Sequence, residues 1–148
     1  MKIPFLISGC AVLLIVTGCF KGENQVEVSP TFDNEFGEMF GIDQKVGIVG
    51  GPVLAGESQK WMWHFWGEEA PNQYFSAVAT NLESKEEVNP IIQSAILTQR
   101  DSLETISHSP SEVQFPSEGI WKIETYIEDE FFDEFVVEVH PEGTELTY

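Results

Sequence analysis

The sequence predicts an all-β domain, an immunoglobulin-like antiparallel β-sandwich, that follows an N-terminal lipoprotein signal peptide. One observation is the series of about six to eight short segments rich in β-branched and aromatic residues, which Gly and Pro residues separate. The other is the absence of a convincing helical period, combined with a clear period of two in the C-terminal third. A barrel is the main rival architecture.

The N-terminal residues predict secretion and a lipid anchor. Lys2 precedes an apolar run from Ile3 to Val16, which is shorter than the roughly 20 residues that a bilayer span needs and has the length of a signal-peptide core. The run ends in Val16-Thr17-Gly18-Cys19, which resembles the lipobox of bacterial lipoproteins. By this resemblance Cys19 carries a diacylglycerol, whose two chains suffice for stable anchoring.

A second small-residue pair before a cysteine, Ser8-Gly9-Cys10, is the weaker cleavage motif because it would leave only Ile3 to Ile7 as the apolar core. We therefore expect a signal peptide over residues 1–18, a lipidated tether over residues 19–31 and a single domain over residues 32–148. The expected location is the extracytoplasmic face of the cell membrane. Both cysteines are then used, so the domain must be stable without a disulfide.

The charge is strongly negative, with 7 Lys and Arg against 25 Asp and Glu and a formal net charge of −18. This balance excludes nucleic acid as a partner, because nucleic-acid binding depends on neutralising phosphates with basic side chains. It also argues against docking of the protein surface on anionic lipid. With 42% hydrophobic residues the chain is not a disordered acidic tail. The acidic surface is interpreted mainly as solvated.

The first part of the domain is predicted to contain short elements. Phe32 to Ile42 alternates aromatic and acidic residues irregularly, which indicates an ordered loop or a short edge strand. Lys45 to Val49 is predicted to be a strand that ends at Gly50-Gly51-Pro52, and Val53 to Ala55 a further short strand.

The segment Lys60–Gly67, with the sequence Lys-Trp-Met-Trp-His-Phe-Trp-Gly, holds three of the chain's four tryptophans. In a strand, alternate side chains share a face. One face would carry Trp61, Trp63 and Phe65, and the other Met62, His64 and Trp66. We expect the first face to fill the core beside Trp121, as buried tryptophans do in immunoglobulin-like domains. Only the second face remains available for a functional role.

The middle of the chain is less regular. Tyr74 to Thr80 is predicted to be a strand that pairs with the tryptophan-rich segment. Asn81 to Asn89 is interpreted as a charged loop, and Ile91 to Leu97, which follows a proline, as a strand rather than a helix. Gln99 to Ser111 is polar and is expected to be irregular, and Val113 to Phe115 is a short strand.

The C-terminal segment predicts an antiparallel hairpin. Within Ile120–Ile127 the residues Trp121, Ile123 and Ile127 share one face, and Lys122 and Glu124 lie on the other. After a turn at Glu128-Asp129-Glu130, the segment Phe135–Val139 repeats the alternation.

Several of these motifs together resemble a known family. They are the tryptophan-rich segment, His108-x-Pro110-Ser111, Phe115-Pro116-x-x-Gly119-x-Trp121-Lys122-Ile123, Tyr126 and Val136-Val137-x-Val139. The family is an uncharacterised one of small lipid-anchored proteins from Gram-positive spore-forming bacteria, described only as a domain of unknown function. The resemblance covers residues from about 45 to 139 and implies a membrane-tethered extracytoplasmic β-domain with no known activity. The sequence departs from the family where Thr98–Ile106 replaces a glycine-rich stretch.

The histidines do not form a metal-binding motif. His64, His108 and His140 stand apart in the sequence, without His-x-His spacing or a methionine cluster, whereas a copper site needs several soft or imidazole ligands. The acidic run at Glu128–Glu130, with Asp133 and Glu134, lacks the spacing of a calcium loop and is interpreted as a solvated hairpin tip. We therefore expect no metal and no other cofactor.

The sequence also offers no catalytic motif. His108 lies between Ser107 and Ser109, but adjacent loop residues do not form a triad, and a Gly-x-Ser-x-Gly elbow is missing. We expect the protein not to be an enzyme.

The expected function is that of a non-catalytic binding module. The lipid on Cys19 would hold it at the membrane, and it would contact another envelope protein, a wall polymer or a peptide. Aromatic and imidazole groups outside the core are the candidate contacts: His64, Trp66 and Tyr74. The alternative is a metal-handling accessory lipoprotein for copper or zinc, with His64 and His108 as ligands.

Overall fold

The fold is an all-β sandwich of two sheets in a computed structural model that describes residues 26–67, 73–92, 95–100 and 103–145. The predicted signal peptide over residues 1–18, Cys19 and the first part of the predicted tether lie outside the described residues. The described residues contain no helix. The strands are β1 (Thr31–Asn34), β2 (Gly37–Ile42), β3 (Val46–Val49), β4 (Val53–Leu54), β5 (Gln59–Trp66), β6 (Tyr74–Asn81), β7 (Glu87–Val88), β8 (Ala95–Ile96), β9 (Thr98–Arg100), β10 (Leu103–Val113), β11 (Gly119–Ile127) and β12 (Glu130–His140).

The first sheet has the strand order β1-β2-β3-β5-β10-β9, and each neighbouring pair in it is antiparallel. The second sheet has the order β4-β12-β11-β6-β7, with β8 paired to β6. It is antiparallel except at β4, which runs parallel to β12. The predicted all-β sandwich is confirmed, and the arrangement is compatible with an immunoglobulin-like sandwich rather than a barrel.

The core lies between the sheets and is dominated by aromatic rings. Trp61, Trp63 and Phe65 of β5 are all at most 1% exposed, and Trp121 of β11 is fully buried. Phe115 joins the two groups, with its ring centroid 5.8 Å from that of Trp61 and 5.5 Å from that of Trp121. The prediction that the Trp61 face of β5 fills the core beside Trp121 is confirmed.

The predicted C-terminal hairpin is also confirmed. β11 and β12 pair antiparallel from Gly119 opposite Val139 to Ile127 opposite Glu130. Its inward-facing residues, among them Ile123 and Val137, are buried, as the period of two predicts.

The irregular loop predicted from Gln99 to Ser111 is wrong. Most of this stretch belongs to β10, an 11-residue strand that pairs with β5 along much of its length. The positions of β10 that face the core include Ser107, Ser109 and Ser111, and all three are buried. Serine is small enough to pack beneath the large rings of β5. This part of the inward face of β10 therefore lacks the apolar period that identifies a strand in sequence.

The predicted partner of Tyr74–Thr80 is wrong as well. These residues form most of β6, but β6 pairs with β11 in the second sheet and not with β5. Alternation of buried and exposed residues specifies which face of a strand is inward, and it does not identify the neighbouring strand.

Two further segments are more regular than their composition indicates. Phe32–Ile42, predicted as an ordered loop or short edge strand, forms most of the β1–β2 hairpin, with β1 at the sheet edge. Ile91 makes a bridge to Val113 before β8, so the described residues of Ile91–Leu97 are extended rather than helical, as predicted.

Candidate functional site

The three residues predicted as surface contacts lie on opposite sides of the sandwich. His64 and Trp66 project from the outer face of the first sheet, with their ring centroids 6.2 Å apart. Tyr74 begins β6 in the second sheet and is 58% exposed. The structure therefore brings His64 and Trp66 together and places Tyr74 elsewhere. Their role as contacts stays a prediction.

His64 is only 3% exposed, because side chains of the β1–β2 hairpin cover this part of the outer face of the first sheet. Phe36, at the tip of the hairpin, stacks on the imidazole with ring centroids 5.0 Å apart and an interplanar angle of 20°. Gly47, opposite His64 on β3, permits this close approach, since a Cβ there would lie 2.7 Å from Met39 Sδ and 2.9 Å from the ring of Phe32. Strand alternation places His64 on the outer face, but only the tertiary structure shows that the hairpin covers it.

His64 and His108 meet across the first sheet. They are direct partners in the β5–β10 register, and their ring centroids are 6.3 Å apart with an interplanar angle of 28°. Within the part of the chain that the structure describes, His108 Nδ1 is buried and has no hydrogen-bond partner. The third histidine lies on β12, where Nδ1 of His140 is 3.8 Å from Glu138 Oε1. The sequence named His64 and His108 as joint ligands in the metal-handling alternative, but it did not show that they are direct partners, because the register of β10 was not predictable.

A pocket of about 460 Å³ opens beside His64, and it is lined by Glu35, Phe36, Val49, Met62 and His64. Met62 lies two residues before His64 on the same face of β5. Among the described residues, no three His, Cys, Asp or Glu side chains are grouped as candidate metal ligands.

The outer face of the second sheet carries a group of solvent-accessible rings, Tyr74, Tyr126 and Phe131, here called the aromatic patch. Tyr126 and Phe131 face each other across β11 and β12 with ring centroids 5.9 Å apart, edge to face at 79°. Tyr74 lies one diagonal step from Tyr126, whose partner on β6 is Ser76. Phe131 is 55% exposed, nearly as much as Tyr74.

A β-bulge helps to place these rings. The register of β11 and β12 shifts between Thr125 and Tyr126, so that Phe131 lies opposite Tyr126. The next residue, Phe132, turns inward and contacts Phe65 with ring centroids 5.4 Å apart. The adjacent residues Phe131 and Phe132 therefore lie on opposite faces of the sheet, Phe131 in the aromatic patch and Phe132 against the core.

Two hydrogen bonds fix the turn between β11 and β12 to the start of β6. The backbone N–H of Tyr74 donates to Glu128 Oε1 at 2.8 Å, and the N–H of Glu128 donates to the carbonyl oxygen of Tyr74 at 2.9 Å. Glu128 and Asp129 have φ angles of 48° and 68°, as in tight two-residue hairpin turns. These bonds, one to a side chain and one to the backbone, fix Tyr74 relative to the turn that precedes Phe131.

The charges around the aromatic patch are unevenly compensated. Lys122 Nζ lies 3.2 Å from Glu124 Oε2 and 3.5 Å from Glu134 Oε2. Burial alone would lower the pKa of Lys122, but hydrogen bonds and charge attraction from these two carboxylates outweigh it and raise the pKa above its ordinary value of 10.5. The ammonium group therefore stays charged, and the small stability that it contributes is lost only as the pH rises above this ordinary value. In the described ranges, Asp129 and Glu130 are exposed and form no ion pair.

An apolar cleft of about 390 Å³ lies between the edges of the two sheets, where the chain enters the domain. Ser29 is one of the lining residues, and two hydrogen bonds attach it to β12. Its N–H donates to the carbonyl oxygen of Val136, and its Oγ accepts from the N–H of Val136, both at 2.9 Å. The last residues of the predicted tether thus lie along β12. The predicted start of the domain at residue 32 stays a prediction.

Comparisons with known proteins agree with the predicted fold and with the resemblance to a family of uncharacterised lipoproteins. Residues 22–137 match the family described as "Domain of unknown function (DUF4871)". No curated protein matches the chain. Among solved structures, the chain is similar to one described as the crystal structure of a "Putative Lipoprotein from Bacillus anthracis", with a TM-score of 0.61 and 26% sequence identity over 77% of this chain and 86% of that one. In the described part of the chain, no helix has the length and apolar character to cross a membrane.

Proposed function

This chain belongs to the DUF4871 family of unknown function, and we propose that it is a lipid-anchored extracytoplasmic binding module without catalytic activity. The lipobox at Val16–Cys19 and the lipoprotein description of the solved relative support the anchor. Acylation of Cys19 holds the domain at the outer face of the cell membrane. The domain then meets its partner, which is another envelope protein, a wall polymer or a peptide, in the space beyond that membrane.

The aromatic patch carries the proposal for the binding surface. More than half of the surface of Tyr74 and of Phe131 is open to solvent, and both rings lie on one sheet face, with Tyr126 on the strand between them. Aromatic side chains supply large contact area at low conformational cost and are enriched in interfaces. The hydrogen bonds between Tyr74 and Glu128 position the rings before any partner arrives.

The geometry of β10 supports a role without catalysis. Ser107 is fully buried and faces the core, whereas His108 projects from the opposite face of the same strand. A serine and a histidine on opposite faces of one strand do not form a nucleophile and base pair.

Photo-crosslinking in the living cell tests the proposal. A photoreactive phenylalanine analogue at position 131 should give adducts of defined mass in the membrane fraction, because this position lies in the proposed contact surface. The same analogue at position 83, an exposed site in the turn after β6, serves as the matched control and should give none. The measurement is a mobility shift on a gel, followed by mass analysis of the adduct.

The Cys19→Ser variant completes this experiment. Without the thiol, the protein should no longer incorporate labelled fatty acid, which the parent protein should incorporate. Equal adducts at positions 131 and 83 would contradict the proposed surface, and a Cys19→Ser variant that still incorporates labelled fatty acid would contradict the proposed anchor.

A second function, metal handling, is favoured by one observation, the direct pairing of His64 and His108 across β5 and β10. Met62 lies at the pocket beside His64 and would add a thioether group to the two imidazoles. If the protein handles copper or zinc, the purified lipidated protein should retain about one metal ion per chain after desalting. His64→Ala and His108→Ala should each abolish this retention, and His140→Ala should not. A parent protein that retains no metal would exclude this function.

A further inference from the structure

We infer that the aromatic patch binds a basic protein segment, whose Lys or Arg side chains lie against the rings of the patch and pair with Asp129 and Glu130. The inference rests on the proposed function and names the chemistry of its partner. It depends on the exposure of the rings, the unpaired carboxylates at the end of the same hairpin and the hydrogen bonds that join this turn to β6.

The rings provide the first half of a cation site. A Lys or Arg cation within about 6 Å of a ring centroid is attracted by the electron density of the ring face. Tyr126 and Phe131 pack edge to face, so their contact does not cover both faces of each ring. With Phe131 55% exposed and Tyr74 58% exposed, a cation approaching from solvent reaches these faces without any rearrangement of the sheet.

The charges provide the second half. Lys122 is shared by Glu124 and Glu134 on the same sheet face, and the Glu128 carboxylate accepts a hydrogen bond from the backbone of Tyr74. Asp129 and Glu130 are exposed at the end of the hairpin, in the two positions that precede Phe131, and Glu130 lies opposite the inward-facing Ile127. In the described parts of the chain neither is paired with a cation. The end of the hairpin thus carries two carboxylates that a basic segment extending past the rings would neutralise.

Charge complementarity selects this partner over the alternatives. An anionic wall polymer would face Asp129 and Glu130 with charge of the same sign, on a protein whose formal net charge is −18. A neutral sugar would use the rings but gain no attraction from the two carboxylates. A basic peptide segment is the partner that uses both features of the surface.

The two features also keep a fixed relative position. The paired hydrogen bonds between Tyr74 and Glu128 join the ring-bearing start of β6 to the turn that carries Asp129. Because the surface is ordered before binding, a partner gains its contacts without the cost of ordering the turn.

The test uses the full lipidated protein in phosphatidylcholine vesicles, whose surface has no net charge, and a dye-labelled peptide of six lysines as the probe. Fluorescence anisotropy should show binding that weakens as salt is added. Removing the rings with Tyr74→Ser and Phe131→Ser should weaken binding by roughly fivefold or more, since exposed cation–π contacts are of that order. Removing the charges with Asp129→Asn and Glu130→Gln should weaken it by a similar factor of about five.

The matched control changes the net charge by the same amount, but at the far end of β6. Glu83→Gln with Glu87→Gln removes two exposed carboxylates away from the aromatic patch and should weaken peptide binding less than about twofold. Thermal unfolding of each variant shows that it is folded.

Three results would overturn the inference. If the Glu83 and Glu87 control variant weakens binding as much as the Asp129 and Glu130 variant, the peptide responds only to the overall charge of the protein. The rings are not part of the site if the Tyr74 and Phe131 variant binds normally. If a neutral oligosaccharide of N-acetylglucosamine binds at the rings and the peptide does not, the partner class is wrong, while the proposed binding function stands. The proposed function itself fails only if position 131 also gives no specific crosslink.

Discussion

Trp63→Ala should lower the free energy of unfolding by about 3–5 kcal/mol, the usual loss when a large buried ring is removed. The Trp63 ring is fully buried and contacts Trp61 and Phe75 with ring centroids 5.4 Å and 5.2 Å away. Its Nε1 also donates to Ser111 Oγ at 2.7 Å, so the substitution leaves that buried hydroxyl without its donor. Urea unfolding, followed by fluorescence and circular dichroism, measures the loss.

This loss is a large fraction of the total stability, because the free energy of unfolding of domains of this size is only about 5–15 kcal/mol. Trp66→Ala is the matched control, since it removes the same ring from the opposite face of β5, where the side chain is half-buried. It should cost less than half as much as Trp63→Ala. Equal losses would contradict the assignment of the Trp61, Trp63 and Phe65 face as the main core.

The fold could be predicted where side chains alternate in hydrophobicity along one strand. That pattern predicted the inward face of β5 and the hairpin of β11 and β12, and the combination of motifs identified the uncharacterised family to which the chain belongs. The alternation of hydrophobic side chains did not identify β10, because its core positions Ser107, Ser109 and Ser111 are polar. Their role becomes visible only opposite the tryptophans of β5, as the bond from Trp63 to Ser111 shows.

The candidate sites were harder to predict because they depend on strand neighbours. Tyr74 was correctly selected as an aromatic residue outside the core, but the association with Tyr126 and Phe131 follows from the pairing of β6 with β11, which local sequence does not specify. The meeting of His64 with His108 likewise requires the register of β10 on β5. Sequence patterns therefore indicated individual residues, and tertiary pairing assembled them into surfaces.

The burial of His64 depends on how the β1–β2 hairpin is held, and Gly41 is the residue that permits its path. Gly41 has a φ of 129°, a backbone conformation that L side chains rarely adopt, and a Cβ there would collide with the backbone carbonyl oxygen of Val46. Because that oxygen belongs to the backbone, no change of rotamer can move it away. Gly41→Ala should therefore cost about 3 kcal/mol of stability, at the upper end of the usual strain for such positions.

This loss should be local to the hairpin. Hydrogen exchange should accelerate in β1, β2 and β3, and remain slow in β11 and β12, which pair with each other in the second sheet. Gly56→Ala is the control, because Gly56 has a φ of 75° but a Cβ added to it would meet no atom within 4 Å, so only the smaller strain of about 1 kcal/mol applies. Equal losses for the two variants would show that the collision with Val46 adds nothing to the strain of the positive φ angle.

The Gly41→Ala variant also distinguishes the two proposed functions, binding through the aromatic patch and metal handling through His64 and His108. Loosening the hairpin removes Phe36 from His64 on the first sheet, while the aromatic patch lies on the second sheet and keeps its hydrogen bonds to the turn at Glu128. If the aromatic patch is the binding surface, lysine-peptide binding by the Gly41→Ala protein should stay within about twofold of the parent. If the protein handles metal through His64 and His108, the same variant should change metal retention instead. A loss of peptide binding in a folded Gly41→Ala protein would mean that the first sheet, and not the aromatic patch alone, contributes to the contact.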